Sequence, residues 1–177
     1  MKNIYLLISA LFLVSCISNN HSITYFLSPG IENIKVFPAN KKDSAKIREI
    51  DSSIEKSLEK CKQEKNKECI DDRDVMTIYA KFPKGISNFR VVLFNNLKLP
   101  KNATTGENRI LITIGTENKL ENIEILKYTD QETRKSIETA FKLKELNTWE
   151  SASIYGIPVK EKFEISIFIE NKKITHY

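Results

Sequence analysis

Near the C-terminus Phe163, Ile165, Ile167 and Ile169 alternate with Glu164, Ser166, Phe168 and Glu170, and this period of two commits the chain to a sheet with one buried face. Successive side chains of a strand point to opposite faces, so a slip of one residue would turn the aromatic and the three isoleucines out to solvent. A strand near residues 159–169 therefore needs other elements to cover it, and the preceding residues supply them. Gly85 precedes a helical stretch over residues 86–97, where Ile86, Phe89, Leu93 and Leu97 share a face and Pro100 follows as a stop. Residues 109–115 and 120–127 read as two strands joined by a polar turn at Glu117-Asn118-Lys119, a hairpin pattern. Thr129-Asp130-Gln131-Glu132 reads as a capping box opening a helix through Ile137, Ala140 and Phe141, with Lys142 and Lys144 at its negative end. From residue 85 the order is helix, strand, strand, helix, strand.

The N-terminal half is more irregular. Residues 17–21 read as a short tether, and residues 22–27 and 31–37 as short strands around Ser28-Pro29-Gly30. From Asp43 the apolar positions Ile47, Ile50, Ile54, Leu58 and Cys61 recur at steps of three and four on a charged background, the pattern of an amphipathic helix packed on its own domain. Polar residues 62–74 separate it from an extended stretch at residues 75–83.

The segments FPKGISNFRVVLFNNLKLP, TTGENRILITIGTENKLENIEIL and LNTWESASIYGIPVKEKFEISIFI follow one another as the pieces of a known domain do. Residues 82–170 resemble the C-terminal domain of TonB, the periplasmic end of the energy transducer for outer-membrane transport. The first segment is similar to its aromatic-Pro-x-Gly approach to a helix, the second to its Gly-led hairpin, the third to its Trp, Gly-x-Pro-Val and closing strand. The chain departs from the pattern at Leu99, where the family has an aromatic, at Lys119, where it has a hairpin glycine, and at Glu150-Ser151, where a proline follows the tryptophan. The resemblance implies an α+β fold, a two-layer domain with a three-stranded antiparallel sheet packed against helices, here carrying an N-terminal helical extension. It also implies that Trp149 is a packing residue. TonB itself has a membrane helix with a histidine and a Pro-rich rod; this chain has five prolines in all, too few for such a rod. What the resemblance implies is the binding end of TonB without its engine.

The N-terminus points to export. Lys2 precedes an apolar run at residues 4–14, shorter than the ~20 residues needed to cross a bilayer, as in the core of a signal peptide. Leu13-Val14-Ser15-Cys16 resembles the lipobox of lipoprotein signal peptides, which are cleaved so that the cysteine becomes an acylated N-terminus. The expected division is thus a signal peptide at residues 1–15, a tether and extension at residues 16–81, and the TonB-like domain at residues 82–177. A plain secretory signal that ends near a cysteine is the alternative. Since Ile17 stands where an acidic residue would resemble an inner-membrane retention signal, the expected location is the outer membrane, facing the periplasm.

An oxidising compartment favours a disulfide between Cys61 and Cys69; a metal site or redox dithiol is the alternative, though the spacing is not C-x-x-C and no histidine is near. The 28 basic and 23 acidic residues give a net charge of +5 with no long block of one sign, so no nucleic-acid surface is indicated. His21 and His176, the two histidines, lie in the tether and beside the C-terminus, and no P-loop, Rossmann fingerprint or H-E-x-x-H motif occurs. Asp71-Asp72 read as solvated loop charges. No catalysis and no cofactor are expected.

These readings converge on a lipid-anchored module that binds a partner protein. By resemblance the closing strand, residues 162–170, is the sheet edge that takes up an extended peptide from an outer-membrane receptor or another envelope protein. Its inward face is Phe163, Ile165, Ile167 and Ile169; Glu164, Ser166 and Phe168 face outward, with Phe168 as a contact for the bound strand. A structural lipoprotein that binds a scaffold protein or peptidoglycan is one alternative, and an energy transducer whose signal is not cleaved is another.

Overall fold

The structure is a computed structural model that describes residues 21–64 and 68–173. In chain order its elements are β1 (His21–Leu27), β2 (Glu32–Pro38), α1 (Lys41–Gln63), a 3-10 turn (Arg73–Met76), β3 (Thr77–Ile78), α2 (Ile86–Asn96), β4 (Gly106–Ile114), β5 (Leu120–Lys127), α3 (Gln131–Ala140), a second 3-10 turn (Lys144–Leu146), β6 (Ala152–Ile154) and β7 (Ile157–Lys173). It is an α+β fold with one antiparallel sheet. That sheet has seven strands, which corrects the expected three.

The long strand β7 is its spine. On one edge it pairs first with β6 and then with β4: Ala152 faces Val159, Ile114 faces Glu161 and Gly106 faces Ile169. On the other edge it pairs with β2 and then β1: Pro38 faces Val159, Val36 faces Glu161 and Tyr25 faces Ile169. β5 flanks β4, and β3 flanks β6. The two N-terminal strands thus do not form a hairpin with each other. They lie end to end along one edge of the last strand, so the N-terminal extension is built into the sheet.

Alternation along β7 places Phe163, Ile165, Ile167 and Ile169 under α2 and α3, all at 2% exposure or less. Phe163, Ile165 and Ile167 meet Phe89 and Leu93 of α2, Ile137 of α3, Leu146, and Ile110, Ile112 and Ile114 of β4 in one core. Phe82, Phe89, Trp149 and Phe163 form an aromatic cluster with ring centroids 5.2–6.4 Å apart. Offset and edge-on pairs of this kind add to the burial of their area. The Trp149 indole N–H donates to the Leu146 carbonyl at 3.1 Å, leaving no orphan donor in the cluster.

Ile47 of α1 is buried with Ala152 and Val159 in a second cluster. The stripe Ile50, Ile54, Leu58 and Cys61 is half-buried on the same helix. Asn40 caps α1, its side chain accepting from the Asp43 N–H at 2.9 Å. The β6–β7 hairpin turns on Tyr155 and Gly156, both at positive φ, the two-residue geometry whose twist matches that of the flanking strands. The Tyr155 hydroxyl donates to Asp51 at 2.5 Å and ties that turn to α1.

The capping box shifts by one residue. α3 is capped by Asp130, which accepts from the Thr133 N–H at 2.8 Å. Thr129 is unavailable because its N–H and hydroxyl both point to the side-chain oxygen of buried Asn108, at 2.9 and 3.3 Å. Burial opposes charge on Asp130, but the N–H groups of Thr133 and Thr104 and the hydroxyls of Thr133 and Thr129 hold its pKa down at about 2.

Candidate strand-accepting edge

β7 collects the expected binding residues, but not as a free edge. From Glu161 to Glu164 it has β4 on one side and β2 on the other, and from Ile167 to Ile169 it has β4 and β1. The expectation that residues 162–170 present unpaired backbone groups is therefore corrected. The reason is topological: β1 and β2 come from the other end of the chain, and nothing in their local sequence names the strand they will pair with.

Of the named residues, Phe163, Ile165, Ile167 and Ile169 belong to the core. The outward set is engaged by the chain itself. Glu164 accepts from the Asn33 side-chain amide at 2.9 Å and lies 3.9 Å from the Arg109 guanidinium. Ser166 is buried; its N–H donates to the Ser28 hydroxyl at 3.2 Å, and its own hydroxyl donates to Glu107 at 2.8 Å. Phe168 lies directly across from Phe26 of β1, their rings stacked with centroids 5.1 Å apart. The contact read as belonging to a bound strand is made by a strand, and that strand is β1.

What holds β1 in place is also clear. The Tyr25 hydroxyl donates to the carbonyls of Phe94 and Leu97, the latter at 3.1 Å, and its ring lies against that of Phe94. Burial pushes the Tyr25 pKa up. The Arg90 guanidinium donates to the carbonyls of Leu27 and Pro29 at 3.3 and 3.1 Å. Leu27 completes the attachment by entering the main core.

Two carboxylates near β7 were not singled out in the sequence. Glu107 gathers Arg109 at 2.8 Å, Lys127 at 3.0 Å and Ser166 at 2.8 Å, and the Arg109, Ser166 and Lys127 hydrogen bonds lower its pKa to about 2. Glu161 is 2% exposed and shares the inward parity of Val159 and Phe163. Burial raises its pKa, opposed by the Ala80 N–H that donates to it at 2.7 Å. The alternation that marked Phe163 as inward also marked Glu161, and that was the available signal.

Cys61 and Cys69 are joined in a disulfide with Cα atoms 6.0 Å apart, closing the end of α1 onto the segment that follows. Cys16 and the rest of the lipobox lie outside the described residues. Among the described residues no helix is long and apolar enough to cross a membrane, and no three His, Cys, Asp or Glu side chains converge as a metal ion would need. Compared with protein-family models, with curated proteins and with solved structures, the chain matches none.

Proposed function

We propose that the chain is a lipid-anchored, non-catalytic binding module of the bacterial envelope, of the TonB C-terminal kind, which takes up an extended segment of a partner on the β7 edge now filled by β1. An outer-membrane receptor or another envelope protein is the partner class, and Cys16 carries the lipid. One observation supports this reading above the others: residues 86–173 are arranged as α2, β4, β5, α3, the short β6 and β7, with β4 between β5 and β7. In that arrangement the second edge of β7 is open until a strand from elsewhere is added. β1 is such a strand, and it shows that the edge accepts a seven-residue segment in antiparallel register. Main-chain pairing supplies most of the affinity in strand addition, and pockets for alternate side chains supply selectivity. A partner strand with an apolar residue opposite Ile167 and an aromatic over Phe168 reproduces what Leu27 and Phe26 provide.

The full occupancy of that edge also favours a second reading, in which β1 is permanent and the protein is a structural lipoprotein that binds a scaffold protein or peptidoglycan with no part in transport. Locking β1 separates the two. Ile23 and Asn171 are register partners across β1 and β7, so the Ile23→Cys/Asn171→Cys pair can be bridged by oxidation. If the partner exchanges with β1, the oxidised variant captures it from detergent-solubilised envelope at least tenfold less well than the wild type. Reductant then restores capture in the variant, with reduced wild type as the control for loss of the Cys61–Cys69 bond. Equal capture by the oxidised, locked protein rejects strand exchange and leaves the structural reading.

A further inference from the structure

We infer that the face formed by α2 and the outer side of β1 rests on the bilayer that holds the acyl chains. This rests on the proposed lipid anchor at Cys16 and adds the orientation of the domain on its membrane.

The first observation is the length of chain between lipid and fold. β1 begins at His21, so only residues 17–20 separate it from Cys16, and at full extension that stretch reaches roughly 18 Å. A domain held so closely cannot stand far from the surface, and the elements beside β1 are nearest to it.

The second is the chemistry of those elements. Between Asp74 and Glu107 the sequence holds no carboxylate, but it holds Lys81, Lys84, Arg90, Lys98 and Lys101. No carboxylate of the described residues lies within ion-pair distance of these five cations. Lys84 and Lys98 flank the two ends of α2 and are exposed, as is Lys101. Between those cations α2 carries Val91 at 54% exposure and Phe94 at 47%, with Phe26 of β1 at 45%. Val91, Phe94 and Phe26 share the walls of an open cleft of about 460 Å³ with Leu27, Ser87, Arg90 and Asn95. Apolar side chains on α2 between lysines that form no ion pair with the described residues, in a stretch that holds no acid, match an interface where hydrocarbon begins below a layer of phosphates.

A partner strand is the less suitable occupant of this cleft. Arg90 already takes the outward carbonyls of Leu27 and Pro29, and those are the groups an added strand would pair with first. Aromatic and aliphatic side chains entering the interfacial zone need no free backbone edge.

The test uses the mature acylated protein in vesicles of equal parts phosphatidylcholine and phosphatidylglycerol, with and without brominated chains. Phe94→Trp places a reporter on the face, while the native Trp149, 3% exposed in the core, supplies a shared background. The expected result is that the protein floats with the vesicles and that the added tryptophan emits to the blue of its value in water. More than half of that added emission is lost to brominated lipid, and Lys84→Glu/Lys98→Glu/Lys101→Glu relieves the quenching. Val91→Trp carries the same readout if Phe94→Trp disturbs the contact with Tyr25. Flotation with an unquenched, water-like reporter in both variants overturns the inference while leaving the anchor intact. Failure to float at all overturns the anchor, and this orientation with it.

Discussion

Phe26 in the first strand stacks on Phe168 in the last, ring over ring on the open face of the sheet. Two residues farther along the same edge Ser166 receives β1 through Ser28, whose hydroxyl accepts from the Ser166 N–H and whose own N–H donates to the Ser166 carbonyl at 2.8 Å. On the opposite face Tyr25 and Leu27 join the helical layer. The N-terminal strand is therefore fastened from both sides of the sheet, and the aromatic pair is the fastening that can be removed without opening the core.

Phe26→Ala is expected to loosen β1 selectively. An aromatic pair contributes about 0.5–1.5 kcal/mol beyond the area it buries, so global stability falls by roughly 1 kcal/mol in chemical unfolding. The larger effect is local: amide hydrogen exchange accelerates through β1 and at the C-terminal end of β7 while the amides of β4 keep their protection. Uniform acceleration across the sheet would show that β1 opens only when the whole domain does. Under strand exchange the same variant binds a partner segment more readily, since the resident strand competes less well.

Glu107 makes the outer face sensitive to acid. Hydrogen bonds from Arg109, Ser166 and Lys127 hold its carboxyl down at about 2, and its side chain is only 16% exposed. A carboxyl whose folded value lies below its unfolded one, ~4.3, stabilises the fold above the unfolded value and loses that contribution as pH falls through the folded value. Wild-type stability should thus decline between those limits. Glu107→Gln removes the decline from this group and costs about 1.5–3 kcal/mol at neutral pH, the range for hydrogen bonds to a charged acceptor. Urea unfolding across the acid range measures both; an unchanged pH profile in the variant assigns the decline to other carboxylates.

The sequence carried the C-terminal half well because its signals are local. The period of two in β7, the polar turn after β4 and the apolar face of α2 each lie within a dozen residues, and each element formed where its pattern stood. On α1, which spans Lys41–Gln63, the stripe is buried at Ile47 and half-buried at Ile50, Ile54, Leu58 and Cys61. Pairing between distant segments was not legible. β1 and β2 read as short strands of no stated partner, and only tertiary contact decides that they lie along β7. That missing fact changed the reading of the candidate site: residues 162–170 read as an open edge, whereas Ser166 lies between β4 and the end of β1, where its N–H donates to Ser28 inside the sheet and a proline would remove that donor. The cap of α3 slipped for a similar reason, since Asn108 claims Thr129 from β4.

Glu161 gives the opposite pH dependence to Glu107. It lies on the inward face of β7 between Val159 and Phe163, paired in register with Val36 on one side and Ile114 on the other. Among the described residues its one hydrogen-bond donor is the Ala80 N–H, and no cation forms an ion pair with it. Burial raises its pKa above the ordinary carboxyl value, and the single N–H offsets only part of that. A carboxyl whose folded value is raised binds its proton more tightly in the folded state. Its contribution to stability is fully present below the unfolded value, ~4.3, and is lost as pH rises through the folded value. As pH rises above the unfolded value, Glu161 therefore contributes progressively less than a carboxyl left in water would, and Glu161→Gln, which keeps an acceptor for Ala80 without a charge, should be more stable than the wild type at neutral pH. The advantage should shrink as pH falls into the mildly acidic range. Glu161→Leu is the control: it also removes the charge but strands the Ala80 N–H, a loss of about 1–3 kcal/mol for a buried unpaired donor. Thermal unfolding of the three proteins at mildly acidic and neutral pH decides the matter. A Glu161→Gln variant no more stable than wild type at neutral pH would show that the carboxylate finds compensation in the fold, and the pH dependence assigned to Glu161 would be wrong.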